Sequence, residues 1–366
     1  MFQFIFCGLL AAFFAYISHI KGNKHYLILS FCVIAYIMGL QDAVAIDFPG
    51  YEKNFELIML GQRSYGFLSI EGRHSEGEIE IGWYFLNRVL GSIIHSYHFV
   101  TLVACIFMCC IMYKMLQKVD SKWNWLSILY FYLVSMQFCM SGIRQALAMM
   151  CFMMAAINVI ERKWKHLILF SLLGMSFHNS YIVVLCALPL LLIPDDFIEK
   201  YIKKVIFICI VAYLLVLLNS SSIRSILIQE FMSTMTENAG EYDHYFESIL
   251  EAKSSFLNMA FRFLNFIFIV IAFYYAKAKE RKLMLFFLIA AYTIAVVGEN
   301  SPLARINNYF TIFSIPAICI IPSVPKNKAL CNAFVILTII YIIKTTIDHA
   351  NSYLYIGYLD FHTIIF

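Results

Sequence analysis

The chain has 366 residues, 62% of them hydrophobic and only 14% charged, with a formal net charge of +4 and a mean hydropathy of +0.77. Soluble domains carry roughly 45–50% apolar and about 25% charged residues. The composition therefore excludes a soluble enzyme, a disordered tail and a disulfide-rich secreted module, and describes an all-α polytopic membrane protein.

A spanning helix needs about 20 mainly apolar residues. Segments that qualify lie near 2–20, 25–41, 99–117, 124–140, 142–160, 204–220, 256–276, 283–298, 304–323 and 329–347. The first has no basic start and no small-residue cleavage site, so it reads as a retained helix. The stretch 165–194 is either one long helix or two short arms, 165–177 and 180–193, meeting at Phe177-His178-Asn179-Ser180.

Charge decides between these. Lys and Arg in short loops mark the cytoplasmic side, and basic loops fall at 21–25, 118–123, 161–166, 199–204, 277–282 and 326–328. Both loops flanking 165–194 are basic, so the segment is a hairpin with His178 at its outer tip. Counting it twice gives about twelve transmembrane helices with both chain ends outside, within an overall expectation of about 11–12. In this scheme 17 of the 27 basic residues but only 6 of the 23 acidic ones are cytoplasmic, leaving +11 inside and −7 outside.

The chain reads as one integral domain, 1–366, with two long external loops. Loop 42–98 begins polar and ends in an amphipathic stretch, Ile79 to Ile94, that suits the membrane interface. Loop 221–255 is acidic. The 11 Cys are scattered with no CxxC pair, which suggests no zinc site and no disulfide framework. The tandem Asp195-Asp196 lies in a basic loop and reads as the start of the next helix rather than as a metal site.

Ionisable groups at membrane depth are costly and mark cavities. On the outer side, four arginines stand against apolar spans: Arg88 in the amphipathic stretch, Arg144 in Ser141-Gly142-Ile143-Arg144-Gln145, Arg262 within a span, and Arg305 at the start of another. One arginine alone would be read as snorkelling to headgroups. Four on the face that should be poor in arginine fit a phosphate or pyrophosphate, which guanidinium binds bidentately. Arg144 and Arg305 also open helices, whose N-terminal amides favour anions.

His178 has a geometric reason to matter. Each hairpin arm has about 13 residues, or ~20 Å, short of the ~30 Å core. The tip is then drawn below the outer surface, where non-helical backbone must line protein or a water-filled cavity. A packed, hydrogen-bonded histidine and a general base or phosphate donor both remain open. The candidate carboxylates are Asp47, Glu80 and Glu299; solvated loop carboxylates are the plain alternative for each.

At these residues the chain resembles the EpsG-like family of Wzy-type polysaccharide polymerases. The resemblance rests on five elements, in order and all on the outer side of the topology: Asp47 with Tyr51; Glu80-Ile81-Gly82-Trp83-Tyr84-Phe85-Leu86; Gly142-Ile143-Arg144-Gln145-Ala146-Leu147-Ala148; Phe177-His178-Asn179-Ser180; and Arg305-Ile306-Asn307-Asn308-Tyr309-Phe310. It implies a GT-C-like glycosyltransferase that joins oligosaccharide repeat units carried on undecaprenyl pyrophosphate, for O-antigen, capsule or exopolysaccharide, at the outer face of the bacterial cytoplasmic membrane. Donor and acceptor are both lipid-linked, and a chain-length regulator is a candidate partner.

For this chemistry the residues read as follows. Arg144 and Arg305 stabilise charge on the departing pyrophosphate, with Arg262 and Arg88 in support. His178 is the leading base, with Glu80 or Asp47 as alternates. Gln145, Tyr51, Tyr309 and Glu299 complete the substrate-binding set, and no cofactor or metal is expected. An O-antigen ligase or another lipid-linked glycosyltransferase would share the arginine cavity. A transporter of lipid-linked sugars and a polytopic acyltransferase are the readings from other classes.

Overall fold

The computed structural model describes residues 2–42, 44–66, 78–119, 121–218, 263–297 in part, 304–323 and 325–350. The protein is an all-α polytopic membrane protein. Among the described residues five helices are long and apolar enough to span a bilayer, or up to six if a bent pair counts as one, and His25–Gly39 and Trp164–Phe177 are shorter apolar helices. That is fewer than the 11–12 expected, for two reasons. The expected span 256–276 and the loop 221–255 lie wholly or largely outside the described residues, and several others are interrupted.

The interruptions are local and specific. The stretch read as 124–140 is α6 (Asn124–Tyr130), a π-helical segment Phe131–Ser135, and α7 (Met136–Ser141). The second hairpin arm is helical only over α10 (Tyr181–Leu185), followed by a 3₁₀ turn, Leu188–Leu192, where Pro189 lacks the amide an α-helix would use. The next helix, α11 (Asp195–Leu218), begins nine residues earlier than expected, with Asp195 and Asp196 in its first turn, where carboxylates favour the helix N-terminus.

Helices clean enough to be read from hydropathy appear close to their expected bounds: α1 (Phe2–Lys21), α2 (His25–Gly39), α5 (Tyr97–Val119), α8 (Ile143–Ile160) and α9 (Trp164–Phe177). Loop 42–98 holds more structure than its polar start suggested. It contains α3 (Phe48–Met59), a parallel backbone pairing of Tyr65–Gly66 with Ile79–Glu80, and α4 (Ile81–Ile93). Helix α3 buries Phe48, Tyr51, Phe55 and Ile58, a spacing that lines one helical face. Helix α4 buries Trp83, Asn87 and Gly91 and exposes Phe85, Val89 and Ile93, the two-sided pattern of an interfacial helix.

The chain divides into two compact units. The first takes in Met1–Leu185 and the C-terminal segment from Ile318; the second is Cys186–Ala317. In the first, α8 is the central element, with an unbroken buried run from Gln145 to Val159. It packs against α5, α7, α9 and α10. In the second, α11 packs on the helix Ala278–Val297, which also packs on Ala304–Thr311, and Tyr213 stacks on Phe266 at 3.9 Å.

Candidate functional site

In the first unit, α5 and α8 pack together and carry opposite chemistry at their two ends. At the ends rich in basic residues, Glu161 pairs with Lys118, and with Lys163 at 2.8 Å. At their starts stand Tyr97 and Arg144. The 18 residues of α8 separate the two ends by about 27 Å at 1.5 Å per residue.

Arg144 is the centre of the second group. Its guanidinium forms an ion pair with the Glu80 carboxylate, through Nη1 and Oε2, and the two side chains are only 17% and 8% exposed. Its Cζ lies 5.5 Å from the centre of the Tyr51 ring, a cation–π contact. Tyr51 in turn meets Trp83 edge-on at 5.7 Å. The Arg144 Nε is buried and has no protein hydrogen-bond partner. Asp47, Tyr51, Glu52 and Arg144 all lie within electrostatic range of the buried Tyr97.

Each member is delivered by a local feature. Asp47 precedes α3, with Pro49 in its first turn, a position where proline's fixed φ suits a helix start; Tyr51 follows one turn on. Glu80 is extended (φ −61°, ψ 132°) because its backbone pairs with Gly66, and this sends its side chain across to α8. Gly142 breaks α7 from α8 (φ −109°, ψ 50°) and sets Arg144 in the first turn after the break.

The His178 turn abuts the same region. It follows α9, and α4 packs on α9 with Gly82 against Ser176. A Cβ at Gly82 would stand 2.7 Å from the Ser176 carbonyl oxygen and 2.9 Å from its carbon, so only glycine permits this crossing. Gly82 is two residues from Glu80, and Ser176 two residues from His178. The backbone N–H of Ser180 donates to His178 Nδ1 at 3.2 Å, with Ser180 Oγ 2.8 Å from the same nitrogen. A nitrogen that accepts an N–H carries no proton, so the neutral ring holds its proton on Nε2. Gln145 is buried in α8.

The remaining candidates stand elsewhere. Arg88 lies two turns beyond Glu80 on α4 and donates to the carbonyls of Ile58 and Met59 at 3.1 and 2.6 Å, satisfying the open end of α3. Tyr309 is fully buried in the second unit, in the helix Ala304–Thr311 that also contains Arg305; the Arg305 side chain, Arg262 and Glu299 lie outside the described residues. Two roles had escaped the sequence reading. Trp83 backs Tyr51, and its signal was its place in the Glu80–Leu86 element. Arg281, read only as a topology charge, is 7% exposed and donates to the Phe273 and Ala276 carbonyls.

Taken together, the fold and this cluster define a multi-pass α-helical membrane protein with a buried, ion-paired arginine at the helix ends opposite its basic loops. The EpsG family model matches residues 24–359, nearly the whole length, and the chain belongs to the EpsG family. Membership points to a membrane protein of the polysaccharide-polymerase type. No curated protein and no solved structure matches it.

Proposed function

We propose that the protein is a glycosyltransferase that polymerises oligosaccharide repeat units carried on undecaprenyl pyrophosphate, with its site on the outer face of the bacterial cytoplasmic membrane. The observation that carries this reading is the buried Arg144, paired with Glu80 and faced by the Tyr51 ring. Burying a guanidinium is costly, and the residues needed to do so come from three separate elements: α3, the start of α4, and α8.

In this reading the donor's pyrophosphate binds the Nε edge of Arg144, which no protein acceptor uses. Guanidinium remains charged at any working pH and matches phosphate oxygens in a fork. The chemistry it assists is departure of the pyrophosphate from the anomeric carbon, where charge develops on the leaving oxygen. His178 donates from Nε2, and Arg305 is tested separately as a pyrophosphate ligand. The outer placement draws on the basic-loop rule, because Lys118, Glu161 and Lys163 stand at the far end of α8 from Arg144.

The test is incubation of purified protein with a synthetic repeat unit on undecaprenyl pyrophosphate, followed by a ladder gel. Wild type yields a ladder. Arg144→Ala and Arg305→Ala leave the single unit on its lipid, and Arg144→Lys restores little because lysine lacks the fork. Absence of a ladder from the wild-type protein overturns the polymerase reading, and full ladders from both alanine variants at normal protein levels overturn the phosphate role.

A further inference from the structure

The reaction also needs a group to take the proton of the attacking hydroxyl, and the geometry around Arg144 points to one. Glu80 stands at the N-terminal boundary of α4, where a carboxylate ordinarily accepts from the helix's first amides. It makes no such bond. Instead its carboxylate reaches Arg144, 64 residues away in sequence. The pair meets Arg144 through Nη1, while Nε, on a different edge of the same guanidinium, has no protein partner. His178 is poorly disposed to accept a proton, because its lone pair is at Nδ1 and already engaged by Ser180.

We propose that Glu80 is the proton acceptor for the incoming sugar hydroxyl, and that binding of the donor pyrophosphate to Arg144 arms it. This rests on the reading of Arg144 as the pyrophosphate ligand. In the empty site the Glu80 carboxylate is paired with Arg144 through Nη1. A pyrophosphate on the Nε edge shares the arginine's charge, and a carboxylate whose cationic partner is neutralised by another anion becomes a stronger base. The base is thus strengthened only when a leaving group is in place, which guards against idle deprotonation.

The step balances as a single displacement. The acceptor hydroxyl gives its proton to a Glu80 oxygen, and its own oxygen bonds to the donor's anomeric carbon. The bond from that carbon to the phosphate oxygen breaks, and its electron pair leaves on the lipid pyrophosphate. Glu80 then returns its proton to solvent.

The experiment uses full-length protein and measures two things separately: affinity for undecaprenyl pyrophosphate, and single-turnover rate across pH with the lipid-linked repeat unit. Glu80→Gln keeps the size of the side chain and removes its basicity. It is expected to bind undecaprenyl pyrophosphate at least as well as wild type, to lose turnover by ~10²–10⁴-fold, and to lose the acid limb of the pH–rate profile. Glu80→Asp is expected to keep a slower turnover with that limb intact. Turnover of Glu80→Gln within a few-fold of wild type, or an acid limb that survives in it, overturns the proposal. If Glu80→Gln fails to fold, loss of the acid limb in Glu80→Asp overturns it instead. Arg144→Ala is the control for the reading beneath: unchanged affinity for undecaprenyl pyrophosphate there refutes the phosphate role of Arg144, whatever Glu80 does.

Discussion

Gly82 and Ser176 bring the start of α4 against the end of α9, so closely that a methyl group at position 82 would stand 2.7 Å from the Ser176 carbonyl oxygen. This crossing joins the segment that carries Glu80 to the turn that carries His178. Both lie beside short elements: Glu80 ends a two-residue pairing, and His178 sits between α9 and the five-residue α10. Their relative placement depends on the α4–α9 contact.

Gly82→Ala is therefore expected to move Glu80 as well as to strain the crossing. Overpacking of this kind costs about 1–3 kcal/mol. Melting of the detergent-purified protein should fall accordingly, and polymer length should fall with it. A variant of normal stability and normal activity would show that the two segments can separate without consequence.

The Glu80–Arg144 pair predicts a non-additive pattern. Removing one partner of a buried pair leaves an uncompensated charge, worth about 3–5 kcal/mol. Arg144→Met alone should destabilise strongly, and adding Glu80→Gln should recover part of that loss. Tyr51→Phe keeps the ring over Arg144 but loses the hydroxyl's hydrogen bond to the guanidinium, about 1.5–3 kcal/mol, while Tyr51→Leu also forfeits a cation–π contact of about 1–2 kcal/mol. Thermal melts of the single and double variants give the coupling energy directly.

Ser180 predicts a subtler effect. Its hydroxyl lies 2.8 Å from His178 Nδ1 and, with its amide, fixes the ring's proton on Nε2. Ser180→Ala leaves the amide bond but removes the hydroxyl, a hydrogen bond worth about 1 kcal/mol. Turnover should fall roughly fivefold with little change in melting temperature. Ser180→Pro removes the amide donor as well and should lower turnover much further, measured on the same ladder assay.

Glu161 predicts a pH dependence that has nothing to do with catalysis. Partial burial pushes its carboxyl up, but hydrogen bonds and charge from Lys118 and Lys163 outweigh this and hold it down at about 2, against an ordinary 4.5. A carboxyl lowered in the folded state contributes stability above its unfolded value and loses it as pH falls through the folded one. Wild type should therefore melt higher than Glu161→Gln at neutral pH, and the gap should close between about pH 4.5 and 2. Polymerisation by Glu161→Gln at neutral pH should stay near wild type, since the residue is a full helix length from Arg144.

Much of the protein's organisation was legible before any coordinates, because it follows from rules that act along the chain. Apolar runs of about 20 residues define α1, α5 and α8, and basic loops mark one set of ends. The short elements escaped for the same reason. Helix α3 has only 12 residues and a polar face, so hydropathy passed over it, although Phe48, Tyr51, Phe55 and Ile58 already showed its period. The π and 3₁₀ segments were hidden because an apolar sequence looks alike in either geometry.

The sequence by itself determined the class of protein, the long apolar helices, and a short set of candidate arginines, a histidine and carboxylates. Spacing along one helix is visible in one dimension, and so is a charge that has no apolar reason to be there. Only the tertiary structure decided the partners. Glu80 and Arg144 are 64 residues apart, and no local rule says that a carboxylate will abandon its own helix to neutralise that arginine rather than Arg88. Arg88 instead braces α3. Those assignments depend on which helix faces meet, and that is settled by packing: Gly82 lets α4 cross α9, and the break at Gly142 turns Arg144 toward Glu80.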